Sequence, residues 1–342
     1  MGTLAGLTLA GALTAVFLSS CGGDRQPRVS EEPLTLQGVP EVRVLLAAPV
    51  SEAIVATTGG YRILLDGEVL TESHQRLDRA RIVRFGGAWR VNALPGAGKE
   101  LALVPHEGSL VRFAGVLYRG RLRLVPIGGD TFRVVNEVDL ESYLAGVLAR
   151  EIYPHWSLET FKALAVAART YALYHMTRPG AKNRAFDVFS TAASQVYGGF
   201  SAETEKSWQA VRQTHAIVLA YGPAGDEQIF PAYYSACNGG YVNGVEVLRD
   251  GPIIPPLIGG QKDLDNSKCP RYTWPSVRIS KRDMLKALKQ NYPSAAELKA
   301  IREIRVVKVT PYGRAVWIDV VSPDRKSVRI RAEDLRVALL RD

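Results

Sequence analysis

The chain has 342 residues, 46% of them apolar and 23% charged, and a formal net charge of +9. That length allows two domains, and that composition excludes a chain too polar to bury a core. The positive balance fits an anionic partner (nucleic acid, a membrane surface or an acidic polymer), while a solvated Arg-rich surface accounts for it equally well.

The first residues bear on the compartment. Met1 to Cys21 contains no charged side chain, and Leu4 to Leu18 is an apolar, small-residue run that ends in Leu18-Ser19-Ser20-Cys21. A membrane-spanning helix needs about 20 predominantly apolar residues, so a shorter run closing on small residues reads as a cleavable leader. The closing tetrapeptide resembles the lipobox of bacterial lipoproteins, with Cys21 as the lipidated residue; a buried N-terminal helix is the alternative. Residues 1–21 are therefore expected to be a lipoprotein-type signal peptide, with the mature protein exported, anchored to a membrane and facing the cell wall or periplasm. Export removes nucleic acid as a partner and permits disulfides. Two thiols remain after Cys21, and an even pair in an exported chain reads first as one disulfide, Cys237–Cys269.

Residues 22–40 are rich in Gly, Pro and charge and read as a flexible tether. From Glu41 to Val138 short apolar or alternating runs, Val42–Leu46, Tyr61–Leu65, Ala80–Phe85 and Leu110–Phe113, are separated by Asp66-Gly67, Gly86-Gly87 and Gly128-Gly129, the pattern of a β-rich part. Tyr118 to Leu124 alternates and predicts one half-buried strand. Helical spacing begins after Asp139, a good N-cap, with Leu140, Tyr143, Leu144, Val147 and Leu148. Pro154 interrupts, and Ser157 caps a second helix, Leu158 to about His175, whose many alanines predict a closely packed central helix. A third helix is expected over Ala202–Thr214. Strands over Ile304–Val309, Ala315–Val321 and Ser327–Arg331 and a short helix, Ala332–Leu340, close the chain. The fold class is α+β: a β-rich part, 41–138, followed by a mixed helical and β core, 139–342.

The run Leu140-Glu141-Ser142-Tyr143-Leu144-Ala145-Gly146-Val147-Leu148-Ala149-Arg150-Glu151-Ile152-Tyr153-Pro154-His155-Trp156, followed by Ala163 to Ala172 (ALAVAARTYA) and by Gln195-Val196-Tyr197-Gly198-Gly199, closely resembles the sporulation stage II protein D / LytB (amidase enhancer) family. Weaker similarity runs through Tyr233–Tyr241 and on to Gly313–Val316. The resemblance implies a SpoIID-type core, peptidoglycan glycan strands as partner, and an association with an N-acetylmuramoyl-L-alanine amidase. It also implies that Glu151 is the catalytic acid of a lytic transglycosylase. One carboxylate suits that chemistry: it protonates the leaving oxygen, and the sugar's own 6-hydroxyl then attacks. A hydrolase normally needs a second carboxylate. Ile152, Pro154 and Trp156 are candidates for an apolar wall around Glu151. Gln195 and Tyr197 are candidates to hydrogen-bond and stack on sugar, or to shape the turn before Gly198-Gly199. Arg169 and Asp187 are candidate substrate contacts, with an Arg169–Glu141 or Arg169–Asp187 ion pair as the structural alternative.

No metal and no cofactor is expected: Tyr234 stands where members of the family often have a His, and Cys237 and Cys269 fall short of the four ligands zinc normally takes. The family's Gly- and His-rich C-terminal segment has no counterpart before Asp342, so the core is expected to lack it. A non-catalytic, glycan-binding amidase enhancer is the second reading. A serine hydrolase is excluded by the lack of a G-x-S-x-G elbow.

Overall fold

The computed structural model describes residues 11–17, 34–36, 40–235, 237–248, 253–263, 269, 272 and 276–339. The fold is α+β, in two compact units, Met1–Tyr233 and Tyr234–Asp342.

In the first unit, a seven-stranded sheet runs in the order Val188–Phe189, Glu41–Val50, Thr131–Asp139, Arg121–Gly128, Leu101–Pro105, Tyr61–Leu65, Glu68–Ser73. All neighbours are antiparallel except the short Val188–Phe189 edge, which lies parallel to Glu41–Val50. A six-stranded sheet is built around Glu52–Thr57 and Ala80–Phe85. The period-2 pattern of Arg121-Leu122-Arg123-Leu124 sends Leu122 and Leu124 into the core and puts both arginines on the opposite face, where each pairs with Glu137. Trp89 of the six-stranded sheet meets Phe132 of the seven-stranded one edge-on at 5.2 Å, and both side chains are fully buried.

The single strand expected over Tyr118–Leu124 is two strands in different sheets. Val116–Tyr118 ends one, Arg121–Gly128 begins the other, and Gly120 turns between them at φ +71°. A Cβ at Gly120 would lie 1.9 Å from the Glu137 carbonyl oxygen, so the alternation continues on paper across a break that only glycine can make.

Thr131–Asp139 feeds directly into helix α1, Leu140–Glu151. The expected boundary at 138/139 therefore falls inside one compact unit, because the strand on its N-terminal side is also the sheet partner of Glu41–Val50. Asp139 caps α1 by accepting the Ser142 N–H at 2.9 Å. Pro154 disfavours helical geometry at Tyr153, and the helix stops with Ile152 extended. Ser157 caps α2, Leu158–Thr177, through the Thr160 N–H. Ala165, Ala168 and Ala172 on one face are fully buried while Ala163 is exposed, so α2 is central but not enclosed. Helix α3, Glu205–Gln213, starts three residues later than expected, because Phe200–Ala202 forms a separate 3-10 turn and Thr204 is the cap. Ile217–Tyr221 packs along α2, where Thr170 Oγ1 accepts the Leu219 N–H at 2.8 Å. Gly11–Phe17, inside the expected leader, runs parallel to this strand and antiparallel to Leu34–Leu36. Cys21 lies outside the described residues.

The second unit holds a three-stranded antiparallel sheet, Glu303–Val309, Ala315–Val321 and Ser327–Arg331, with α5, Ala332–Leu339, after it, close to the expected spans. The sequence reading missed α4, Lys281–Asn291, although Ser280 is an N-cap for it and Met284, Leu285 and Leu288 share a face against Ile318, Val320 and Ile330. Cys237 and Cys269 belong to this unit. Both are half-buried. Closing the expected Cys237–Cys269 bond takes an oxidising compartment, so that bond is a proposal.

Candidate functional site

Glu151 is the last residue of α1, at the point where the chain leaves the helix. Its side chain is half-buried, and Oε1 accepts the Val196 N–H at 2.6 Å. That bond fixes the plane of the carboxyl group. Oε2 has no protein partner among the described residues, so it is the oxygen able to meet a ligand.

Val196 reaches this position because its loop is pinned to α1 by backbone. The Gly198 N–H donates to the Gly146 carbonyl at 3.0 Å, and the Tyr197 N–H donates to the Ser190 carbonyl at 3.0 Å. The loop can lie this close only over a residue without a side chain. A Cβ on Gly146 would sit 2.7 Å from the Tyr197 ring and 2.9 Å from the Gly199 carbonyl oxygen.

After α1 the chain displays three aromatic rings on the surface. Tyr153, 57% exposed, stacks on His155 at 5.6 Å and meets Trp156 edge-on at 5.8 Å. Lys206 of α3 ties this segment down: its ammonium lies 5.1 Å from the Phe161 ring and donates to the carbonyls of Pro154, at 2.9 Å, and Trp156. A half-buried carboxylate thus precedes an aromatic shelf by two to five residues along the chain.

The carboxylates of neighbouring segments are engaged elsewhere. Glu141 pairs with Arg169, Glu159 with Lys162, and Glu203 takes both Arg119, at 2.7 and 2.9 Å, and the Trp208 indole N–H at 2.8 Å. Among the described residues Glu151 makes no ion pair.

Four residues expected at the substrate are instead internal braces. Arg169 is fully buried. Its Nε and Nη2 donate to Glu141 Oε1 and Oε2 at 2.8 and 2.7 Å, and Nη1 donates to the Ile217 carbonyl at 3.0 Å. Of the two ion pairs weighed, the one with Glu141 forms, joining α1 to α2. Asp187 is held by Arg43, whose backbone N–H, Nε and Nη2 donate to it at 3.0, 3.0 and 2.6 Å. Gln195 is fully buried and accepts the Tyr143 hydroxyl at 3.0 Å. Tyr197 is buried between Tyr143 and Tyr118, and its hydroxyl donates to Asn136 Oδ1 at 3.0 Å. Burial pushes the Tyr197 phenol well above its usual range, so it stays protonated. Arg169 and Gln195 have no surface toward solvent and Asp187 and Tyr197 almost none, and the partners of all four lie inside the unit, where they brace the loop and helices. Polar type and motif position alone could not separate the two roles. The site donor missed from sequence is a backbone N–H, at Val196, for which side-chain chemistry carries no signal.

Among the described residues no helix is long and apolar enough to cross a membrane.

Residues 128–221 match the family model described as Stage II sporulation protein, SpoIID. That stretch contains α1, α2, the Val196 loop, α3 and Glu151. The chain is also similar to a protein called amidase enhancer from Bacillus subtilis (35% identical over 153 residues, 44% of this chain and 19% of that protein). Stage II sporulation protein D of the same organism is 28% identical over 169 residues, 44% of this chain and 47% of the relative. An uncharacterized protein from Brachyspira hyodysenteriae is 38% identical over 146 residues, 43% and 38% of the two chains. In each case the match spans less than half of the relative's own length. With the matched stretch centred on the helices and loop that position Glu151, residues 128–221 are similar to the SpoIID family domain.

Proposed function

We propose that this is a wall-associated protein that binds peptidoglycan glycan strands and cleaves them as a lytic transglycosylase, with Glu151 as general acid and then base. The observation that carries this reading is the Glu151 carboxylate, anchored through Oε1 by the Val196 N–H and followed along the chain by the Tyr153–His155–Trp156 shelf. In the first step a proton on Oε2 passes to the glycosidic oxygen as the C1–O bond breaks. In the second, the carboxylate takes the proton of the muramic acid 6-hydroxyl while that oxygen bonds to C1, closing a 1,6-anhydro ring. The net change consumes no water and needs no second carboxylate. The reading includes export on a lipid anchor at Cys21.

The second reading is a glycan-binding stimulator of an amidase, favoured by the similarity to the amidase enhancer. The two separate on Glu151→Gln, which keeps size and removes the transferable proton. The enzyme reading expects release of 1,6-anhydromuramyl products from peptide-stripped glycan to stop while glycan still sediments with the variant. Wild-type protein that binds glycan and releases no such products overturns the enzyme reading and leaves the stimulator.

A further inference from the structure

The strand Glu303–Val309 of the second unit mixes β-branched and charged residues, Glu303-Ile304-Arg305-Val306-Val307-Lys308-Val309. It stands at the edge of its three-stranded sheet, paired on one side with Ala315–Val321. Its apolar side chains meet water: Ile304 is 37% exposed, Val306 55% and Val309 56%. Residues paired across a ladder share a face, so Ile304 lies beside its partner Val320, and Val306 beside Ile318. Val320 and Ile318 are buried in the core with α4 and α5. The core face of the sheet thus runs on past the helices as an apolar strip that nothing covers among the described residues.

A free edge presents a row of unpaired backbone groups to any other strand, and proteins guard such edges with bulges and charges. This strand has both, and they act together. Val307 has no partner in the ladder, where Val306 faces Ile318 and Lys308 faces Trp317, the next residue back. In a regular strand Glu303 and Lys308, at opposite parity, would point to opposite faces. The extra residue at Val307 puts them on the same face, since their partners Val321 and Trp317 differ by an even step along one regular strand. Lys308 makes no ion pair among the described residues, while Glu303 takes Arg305 at 2.5 Å and Arg302 at 3.2 Å. A strand that complements this edge has an acid to set against Lys308, a base to set against Glu303, and β-branched residues between. The same strand, run antiparallel, has all three.

We infer that Glu303–Val309 is a self-association edge, along which a second copy of this chain adds antiparallel. The two three-stranded sheets become one sheet of six, with Glu303 of each copy set against Lys308 of the other and the two Ile304–Val306 strips adjoining on the core side. Parallel addition would instead set Glu303 on Glu303 and Lys308 on Lys308. Two-fold pairing uses the same edge on both copies, so it closes at a dimer and does not grow into a fibre. One strand and its flanking side chains make a small contact, below the ~1,200 Å² at which standard interfaces begin, so the dimer is weak and depends on concentration. The inference is independent of the glycan reading above.

The test is sedimentation equilibrium of the full chain over a wide concentration range, with wild type, Glu303→Lys, Lys308→Glu and the double variant. Each single change sets like charges against each other at both ends of the pairing. Two symmetry-related attractions become repulsions, which should weaken dimerisation about tenfold or more. An equimolar mixture of the two single variants should form a heterodimer, because both of its charge pairs are again opposite, and Glu303→Lys/Lys308→Glu should recover the homodimer. Hydrogen exchange on wild type gives a readout that needs no substitution: backbone amides of 303–309 should exchange more slowly as concentration rises. The inference is overturned if wild type stays monomeric at every concentration, or if it dimerises while these amides gain no protection. It is overturned equally if the mixed single variants, each melting as wild type does, associate no better than either alone.

Discussion

Arg169→Met tests whether the buried guanidinium is a brace or a substrate contact. Methionine keeps much of the apolar stem and removes every polar atom. Three hydrogen bonds disappear, two to Glu141 at 2.8 and 2.7 Å and one to the Ile217 carbonyl at 3.0 Å. The Glu141 side chain is only 18% exposed, so it is left as a largely buried charge without its partner. Breaking one side of such a pair costs about 3–5 kcal/mol, a large share of the ~5–15 kcal/mol that stabilises a typical domain. For a unit of this size each kcal/mol is worth roughly 2–4 °C, so the melting temperature should fall by about 6–20 °C. Urea denaturation of wild type, Arg169→Met, Glu141→Leu and the double variant completes the cycle. The double variant should be more stable than either single one, because replacing both ions with apolar groups leaves no stranded charge. If Arg169→Met unfolds at the wild-type urea midpoint and loses glycan binding instead, the residue is a ligand contact and the bracing account fails.

Other predictions follow from the same geometry. Gly146→Ala should push the Val196 loop off α1, lowering both stability and any Glu151-dependent activity; a crystal structure of the variant with Val196 N still within 3 Å of Glu151 would contradict this. Tyr197→Phe removes the donor to the buried Asn136 side chain and should cost about 1–3 kcal/mol in chemical denaturation, with glycan affinity of the folded protein unchanged. His175 is neutral in the folded state down to about pH 4 but takes up a proton near 6.5 when unfolded, so its contribution to stability is present above pH 6.5 and is lost as pH falls toward 4. Urea midpoints of wild type and His175→Gln at pH 7 and pH 4.5 should therefore show a smaller acid loss for the variant. Sedimentation with purified sacculi should weaken as salt rises, since the +9 charge acts through exposed groups screened over about 10 Å at 0.1 M salt; salt-independent binding would assign affinity to the aromatic shelf instead.

What the chain reveals by itself is mostly what acts within a few residues. Asp139 and Ser157 cap α1 and α2 because each side chain needs only an N–H three residues on. Pro154 ends the segment after α1 locally, which already places Glu151 at a helix terminus. The alternation of Leu122 and Leu124 with arginines needs only the strand pleat. The tertiary structure decided the pairings. Arg43 and Asp187 are 144 residues apart, Tyr143 and Gln195 52, and Arg169 and Glu141 28, so several partners were open to each polar group until folding brought one within reach. Gln195 and Tyr197 look like ligand contacts as residue types and become braces once buried, where an unmet polar group is costly. The Val196 N–H belongs to the backbone and carries no side-chain signal at all. A cleft in the first unit likewise draws Arg133 from a strand, Arg178 from the end of α2 and Arg184 from the segment beyond it.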